Sequence, residues 1–153
     1  MTINRKTKLP KNEPITIGWI EYVDLPDLDL HEVKAKIDTG ARTSALHATE
    51  IEPFERENAE WVRFKVQPRE GASEQVVESR VHDLRHIKNT SGVPEERYVI
   101  RTTFRAVGRE WPISVSLTDR SNMRFPMIVG RTALKKHNIA VHTRHAHLTK
   151  AKE

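Results

Sequence analysis

The fold is decided by an alternating strand that ends in a carboxylate, and this stretch reads Val33-Lys34-Ala35-Lys36-Ile37-Asp38-Thr39-Gly40-Ala41. Apolar residues at every second position predict a strand with one buried face. Such a strand would hold the carboxylate rigidly, the Thr39 hydroxyl could bond to neighbouring backbone, and Gly40 would let another segment approach closely. The pattern indicates an acid held for chemistry, although a strand-ending turn capped by aspartate looks the same.

A second motif lies far downstream and reads Phe125-Pro126-Met127-Ile128-Val129-Gly130-Arg131-Thr132-Ala133-Leu134. Here an apolar strand leads into Gly130-Arg131, and the residues from about 131 to 137 favour a short helix. By itself this motif is also typical of an ordinary core strand followed by a glycine turn. The two motifs in this order are much less frequent by chance than either one alone.

Together the two motifs resemble those of the retropepsin family of aspartic peptidases, in which Asp-Thr-Gly-Ala is followed later by two apolar residues and a helix-opening Gly-Arg. More closely, residues 37–48, 117–121 and 127–134 are similar to a bacterial branch that is usually labelled ATP-dependent zinc protease and includes the ribosomal-modification protease RimB. The resemblance implies a retropepsin-type β-barrel and peptidase activity. For RimB-like members it further implies trimming of glutamate tails from a ribosomal protein.

The rest of the sequence favours a mostly β fold, a retropepsin-like closed β-barrel with one short C-terminal helix. Alternating runs separated by turn signals predict strands at 15–22, 32–37, 61–66, 75–81, 97–107 and 110–117. A hairpin formed by the runs at 61–66 and 75–81 is the candidate flap over the substrate. We expect a flexible N-terminal arm at 1–13, the peptidase domain at 14–147 and a charged tail at 148–153.

Aspartic chemistry needs two carboxyl groups, and the chain has a single Asp-Thr-Gly. Like charges at contact distance cannot both ionise, so the pair shares one proton. The ionised member takes a proton from the attacking water while the protonated member polarises the peptide carbonyl. A chain of 153 residues is too short for two lobes, so a homodimer is expected to supply the second aspartate. The intramolecular alternative is Asp119, although Arg120 beside it favours a structural ion pair.

The resemblance assigns roles to individual residues of this sequence. The catalytic residues are expected to be Asp38, Thr39 and Gly40, and the substrate-binding residues Ala41, Arg42, Ser44 and Arg131. Viral retropepsins have an acidic residue after the motif that pairs with the helix-opening arginine, but here Arg42 takes that place. Arg131 is therefore expected either to pair with Asp119 or to line a basic cleft with Arg42, which would favour acidic peptides.

Charge is distributed unevenly along the chain, whose formal net charge is +5. Residues 1–100 carry 15 basic and 18 acidic residues, a net of −3, whereas residues 101–153 carry 11 and 3, a net of +8. A basic C-terminal third indicates either an anionic partner or a solvated basic face. The alternative function is a non-catalytic basic module that binds a ribosomal or nucleic-acid partner. No RNA-binding signature is present, so direct contact with nucleic acid is not expected.

Histidine spacing offers a weak alternative, a zinc-dependent peptidase with His82 and His86 as ligands. The chain has no His-Glu-x-x-His and no Gly-rich phosphate loop, so neither metal nor another cofactor is expected. The C-terminal histidines at 142, 145 and 147 are crowded near the tail, and His47 is expected to be packed. The absence of cysteine, of a signal-like N-terminus and of any membrane-length apolar run predicts a cytoplasmic protein with no membrane contact.

Overall fold

A computed structural model describes residues 13–88, 91–120 and 124–150. These residues form twelve strands and three 3₁₀ helices, the latter at Pro26–Leu28, Arg131–Ala133 and Leu148–Lys150. The strands are β1 (Ile15–Gly18), β2 (Ile20–Leu25), β3 (Leu30–Asp38), β4 (Ser44–His47), β5 (Thr49–Arg56), β6 (Ala59–Val66), β7 (Gln75–Arg80), β8 (Asp83–Lys88), β9 (Pro94–Ala106), β10 (Arg109–Thr118), β11 (Met127–Gly130) and β12 (Ile139–His142).

Six strands close into a barrel in the order β10-β4-β11-β3-β2-β9, and β9 pairs with β10 to complete the ring. Closure leaves no unpaired sheet edge within the ring. Strand β8 pairs with β9 outside the ring, β1 pairs with β12, and β5, β6 and β7 form a separate sheet. The mostly β, closed-barrel fold predicted from the sequence is confirmed.

Alternation along β3 places its apolar side chains in the barrel core. Val33, Ala35 and Ile37 are buried, whereas Lys34 and Lys36 are half-buried on the opposite face. The largest fully buried side chains belong to Phe64, Phe104, Leu25, Leu30, Leu46, Ile100, Leu117 and Met127. Burial of each such side chain stabilises the fold by about 1.5–3 kcal/mol. The strand that carries Asp38 is therefore anchored along its whole length.

The second motif meets the first where β11 runs parallel to β3, with Gly130 opposite Asp38. The segment between Ala41 and Ser44 crosses Gly130 so closely that a Cβ atom at 130 would lie 2.5 Å from the Thr43 carbonyl oxygen. The Gly130 N–H also donates to the buried Ser44 Oγ at 3.0 Å. A side chain at 130 would therefore force the two motifs apart.

The predicted helix at 131–137 is shorter than expected, because helical geometry is confined to the 3₁₀ helix at Arg131–Ala133 and turns follow to Asn138. Polar groups of this segment form hydrogen bonds with other parts of the chain rather than the internal hydrogen bonds of a longer helix. Both the N–H and the hydroxyl of Thr132 donate to the Arg42 carbonyl, and the Trp111 indole N–H donates to the Ala133 carbonyl at 2.8 Å. The sequence pattern was also wrong to join 15–22 into one strand, since Trp19 separates β1 from β2.

The predicted tail begins as an anchored segment, because residues 148–149 bind the buried carboxylate of Glu21. Glu21 is 1% exposed and accepts hydrogen bonds from the Gly18 N–H (2.6 Å), the Leu148 N–H (2.8 Å), the Thr149 N–H (3.3 Å) and the Thr149 hydroxyl (2.8 Å). The rest of the predicted tail, 151–153, and all but Glu13 of the predicted arm lie outside the described residues. Within the described ranges, no helix is long and apolar enough to cross a bilayer.

We expect Gly130→Ala to lower the free energy of unfolding by about 3 kcal/mol, because the new methyl group would overlap rigid backbone at Thr43. Gly71→Ala is the control: its Cβ would meet nothing within 4 Å, and only its φ of +85° is unfavourable, which costs about 1 kcal/mol. Urea denaturation measures both. Equal losses of stability would contradict the close crossing.

Glu21→Ala is expected to destabilise the protein by about 3 kcal/mol, since it removes a buried acceptor from several donors. Amide hydrogen exchange at 143–150 should accelerate more than in the barrel, because these residues lose their attachment. Glu52→Ala, on an exposed position of β5, serves as the control and should change little. Unchanged exchange at 148–149 in Glu21→Ala would refute the anchoring role.

Candidate active site

Asp38 is the last residue of β3, and its half-buried side chain projects from the end of a rigid strand. The Gly40 N–H donates to Asp38 Oδ1 at 3.0 Å, and the Ala41 N–H donates to the Asp38 carbonyl at 3.1 Å. The Asp-Thr-Gly-Ala turn thus folds back on its own aspartate. Among the described residues, Gly40 provides the only hydrogen bond to this carboxylate, which leaves Oδ2 open.

Arg131 braces this turn from the second motif. Its N–H donates to the Ala41 carbonyl at 2.8 Å, and its guanidinium donates to the carbonyls of Gly40 (3.2 Å) and Thr39 (3.4 Å). The guanidinium binds these backbone oxygens rather than Asp119, while a basic cleft shared with Arg42 stays a prediction. The side chain of Arg131 therefore positions the residues that follow Asp38.

The predicted substrate-binding residues after Asp38 divide into buried and exposed positions. Ser44 is 1% exposed, and its Oγ is occupied by the Gly130 N–H, so it stabilises the crossing. Ala41 is half-buried, and its carbonyl accepts the Arg131 backbone N–H. Arg42 contributes its carbonyl to Thr132, while its side chain is exposed beside the loop. Of the predicted substrate-binding side chains, only that of Arg42 is both exposed and without a hydrogen-bond or ion-pair partner among the described residues.

Asp119 does not lie at the Asp38 end of the barrel. Strand pairing places Thr118 beside His47, at the opposite end of β4 from Ser44. The backbone N–H of His47 donates to the carbonyl of Pro126, which directly precedes β11. Pro126 lies four residues before Gly130, the β11 residue that is opposite Asp38. Four residues of strand correspond to about 13 Å, so the sheet register separates the two carboxylates.

The histidines considered as zinc ligands are also held apart. His82 lies directly before β8 and His86 within it, and two residues four apart on extended backbone are separated by about 13 Å. Over the described ranges, no group of three or more histidine, aspartate or glutamate side chains could hold a metal ion. The rings of His142 and His145 are in contact, but His142 Nδ1 already accepts the N–H of Arg144 at 3.0 Å.

Next to the Asp38 loop lies a cavity of about 620 Å³, which we call the basic cavity. Five cationic side chains line it together with Thr43, Thr132 and residues of β9 and β10, and no aspartate or glutamate is among the lining residues. The cations are Arg42, Arg85, Arg101, Lys135 and Lys136. Only Arg42 of these was a candidate from the sequence. The signal for Arg101, Lys135 and Lys136 was the excess of basic residues after residue 100, whereas no sequence signal pointed to Arg85.

His137 also borders the basic cavity, where its ring stacks on Trp111 at 4.0 Å. Burial lowers the pKa of His137 below its ordinary value, and the nearby charges of Arg109 and Lys136 lower the pKa further. The ring is therefore mostly neutral at pH 7, and the positive charge of the cavity comes mainly from its arginines and lysines.

A hairpin other than the predicted one reaches this region. The β6–β7 hairpin belongs to the separate three-stranded sheet, and none of its residues line the basic cavity. Instead, β8 contributes Arg85, and β9 contributes Val99 and Arg101. The β6–β7 pairing expected from the sequence is present, and its role as a flap over the substrate stays a prediction.

Comparison with curated proteins finds relatives that carry a segment similar to this chain. Two curated relatives, from Parasynechococcus marenigrum and Shewanella pealeana, are 43% and 39% identical over 122 and 120 residues, and both are named "Probable alpha-L-glutamate ligase". The matches cover 78% and 77% of this chain but only 26% of each relative, so the chain spans about a quarter of their length.

A solved structure and a family model extend the comparison to almost the whole chain. The crystal structure of a protein of unknown function from Legionella pneumophila superposes with a TM-score of 0.73 at 27% identity, covering 88% of this chain and 98% of that one. The model of the family described as "Retropepsin-like aspartic endopeptidase RimB" matches residues 16–152. The chain therefore belongs to the RimB-like family of retropepsin-like aspartic endopeptidases.

Proposed function

We propose that this protein is a homodimeric aspartic peptidase in which Asp38 and its counterpart from a second copy form the catalytic pair. The observation that carries the proposal is the position of Asp38. It ends a buried strand, its Oδ1 accepts the Gly40 N–H, and its loop is bound through Arg131 to the opposing strand. A rigid carboxylate with one open oxygen is what a shared acid pair requires.

The proposed reaction uses one proton held between two carboxyl groups. The ionised member removes a proton from water, and the water oxygen attacks the peptide carbonyl carbon. The protonated member donates its proton to the carbonyl oxygen, giving a tetrahedral diol. A proton then passes to the amide nitrogen as the C–N bond breaks, and the products are a carboxylic acid and an amine.

A twofold copy is the proposed source of the second carboxylate. The chain has one Asp-Thr-Gly, and Asp119 lies at the wrong end of β4 to assist. In a C2 dimer each residue on the axis meets its own counterpart, so a single Asp38 per chain is sufficient.

The proposed substrates are acidic peptides, in particular glutamate tails such as those of a modified ribosomal protein. Two observations support this choice. The relatives named as glutamate ligases contain a segment similar to this chain within a longer polypeptide. In addition, Arg42 has no carboxylate partner among the described residues, and it lies four residues after Asp38, where it can bind a substrate carboxylate bidentately.

Asp38→Asn is expected to reduce hydrolysis of a hexaglutamate peptide by at least about a thousandfold, because the pair loses its general base. Mixing tests the shared pair. A ninefold excess of Asp38→Asn over wild type should leave about a tenth of the wild-type activity, since most wild-type subunits then sit in mixed dimers.

Undiminished activity of the wild type in that mixture would contradict the shared pair, and an active Asp38→Asn protein would contradict aspartic chemistry altogether. Light scattering on both proteins reports whether they dimerise equally. A wild type that binds the peptide without cleaving it would favour the non-catalytic basic module instead.

Arg42→Ala should reduce the preference for acidic over neutral peptides about tenfold in kcat/KM, because one charge-assisted contact is lost. Arg80→Ala, which removes an exposed arginine at the end of β7, is the matched control and should leave the preference unchanged. The role of Arg42 is disproved if both variants keep the wild-type ratio.

A further inference from the structure

The basic cavity and Asp38 are neighbours but not the same site. Arg42 and Thr43 line the cavity, whereas Asp38, Thr39 and Gly40 do not. Arg42 is the fourth residue after Asp38, which limits the distance between their Cα atoms to about 14 Å. An extended peptide covers that distance in about four residues. A ligand in the cavity would therefore lie a few residues away from a bond held at Asp38.

The cations of the cavity come from separate parts of the chain and are only partly neutralised. Arg85 Nε pairs with the exposed Asp83 at 3.1 Å, and the guanidinium of Arg101 donates to Ser114 Oγ at 2.9 Å. Lys135 and Lys136 are exposed and have no carboxylate partner in the described part of the chain. Such a concentration of like charge costs free energy unless an anion offsets it.

Size and composition match a flexible acidic ligand. At about 620 Å³ the cavity falls within the range of ordinary ligand pockets and can hold more than one side chain. Its walls combine the cations with the hydroxyls of Thr43 and Ser114, which can donate to carboxylate oxygens. A second copy of the chain is a poor occupant, because a twofold interface here would oppose identical positive surfaces.

We propose that the basic cavity is a second carboxylate-binding site, which holds acidic side chains of the substrate a few residues away from the bond to be cleaved. The proposal rests on the proposed peptidase function and adds Arg85, Arg101, Lys135 and Lys136 as specificity-determining residues. A consequence is that cleavage depends on the length of the acidic tail. Tails too short to reach from Asp38 into the cavity are cleaved poorly.

The test measures binding separately from cleavage. Fluorescein-labelled hexaglutamate and hexaglutamine are titrated with Asp38→Asn protein at low salt, and anisotropy gives the Kd. The same titration is done in this background with Lys135→Gln/Lys136→Gln. Arg80→Gln/Arg124→Gln removes the same charge from two exposed positions outside the cavity and is the control. Thermal melting verifies that each variant is folded.

Hexaglutamate should bind at least about tenfold more weakly to the lysine double variant, while the control changes less than about twofold. Hexaglutamine should bind weakly to all of them. The proposal is overturned if both double variants weaken binding equally, or if hexaglutamate binds no better than hexaglutamine. The binding measurement requires no cleavage. A wild type without peptidase activity would therefore contradict the proposed function, and the titration would still test the cavity.

Discussion

The close crossing of the Asp38 loop over Gly130 is the constraint on which the rest of the structure depends. Thr43 backbone occupies the space that a side chain at 130 would need, and backbone hydrogen bonds join Arg131 to Ala41 and Thr132 to Arg42. The same contacts close the barrel between β3, β4 and β11 and fix the direction in which Asp38 points. Barrel stability and placement of the carboxylate therefore have one physical cause.

Arg131 donates hydrogen bonds to backbone carbonyls of the Asp38 loop, and this arrangement affects how the charge of its guanidinium is balanced. In the arrangement expected from viral retropepsins, an acidic residue would neutralise this guanidinium. Here carbonyl oxygens accept its hydrogen bonds, and no aspartate or glutamate in the described part of the chain pairs with this guanidinium. Arg42 lies four residues after Asp38 and the basic cavity lies beyond it, so cationic side chains border the Asp38 loop on this side.

Alternation of apolar residues predicted the strands that are buried on one face. It missed strands whose regular structure depends on hydrogen bonding to a neighbouring strand rather than on burial. Strands β3, β6, β9 and β10 were found because their apolar residues alternate. Strand β5 was missed because it contains Pro53 and four charged residues and is largely exposed. Its regular structure comes from pairing with β6, which no local pattern reveals.

The sequence by itself determined the closed β fold, the acid at the end of a strand, the glycine and arginine of the second motif, and a strongly basic C-terminal third. Those features are encoded locally, in alternation, residue type and charge. Only the tertiary structure decided that Arg131 binds carbonyls, that Asp119 lies away from Asp38, and that Arg85, Arg101 and Lys135 share a cavity with Arg42. The reason is that strand register and barrel closure, which depend on all the strands together, determine which distant residues become neighbours.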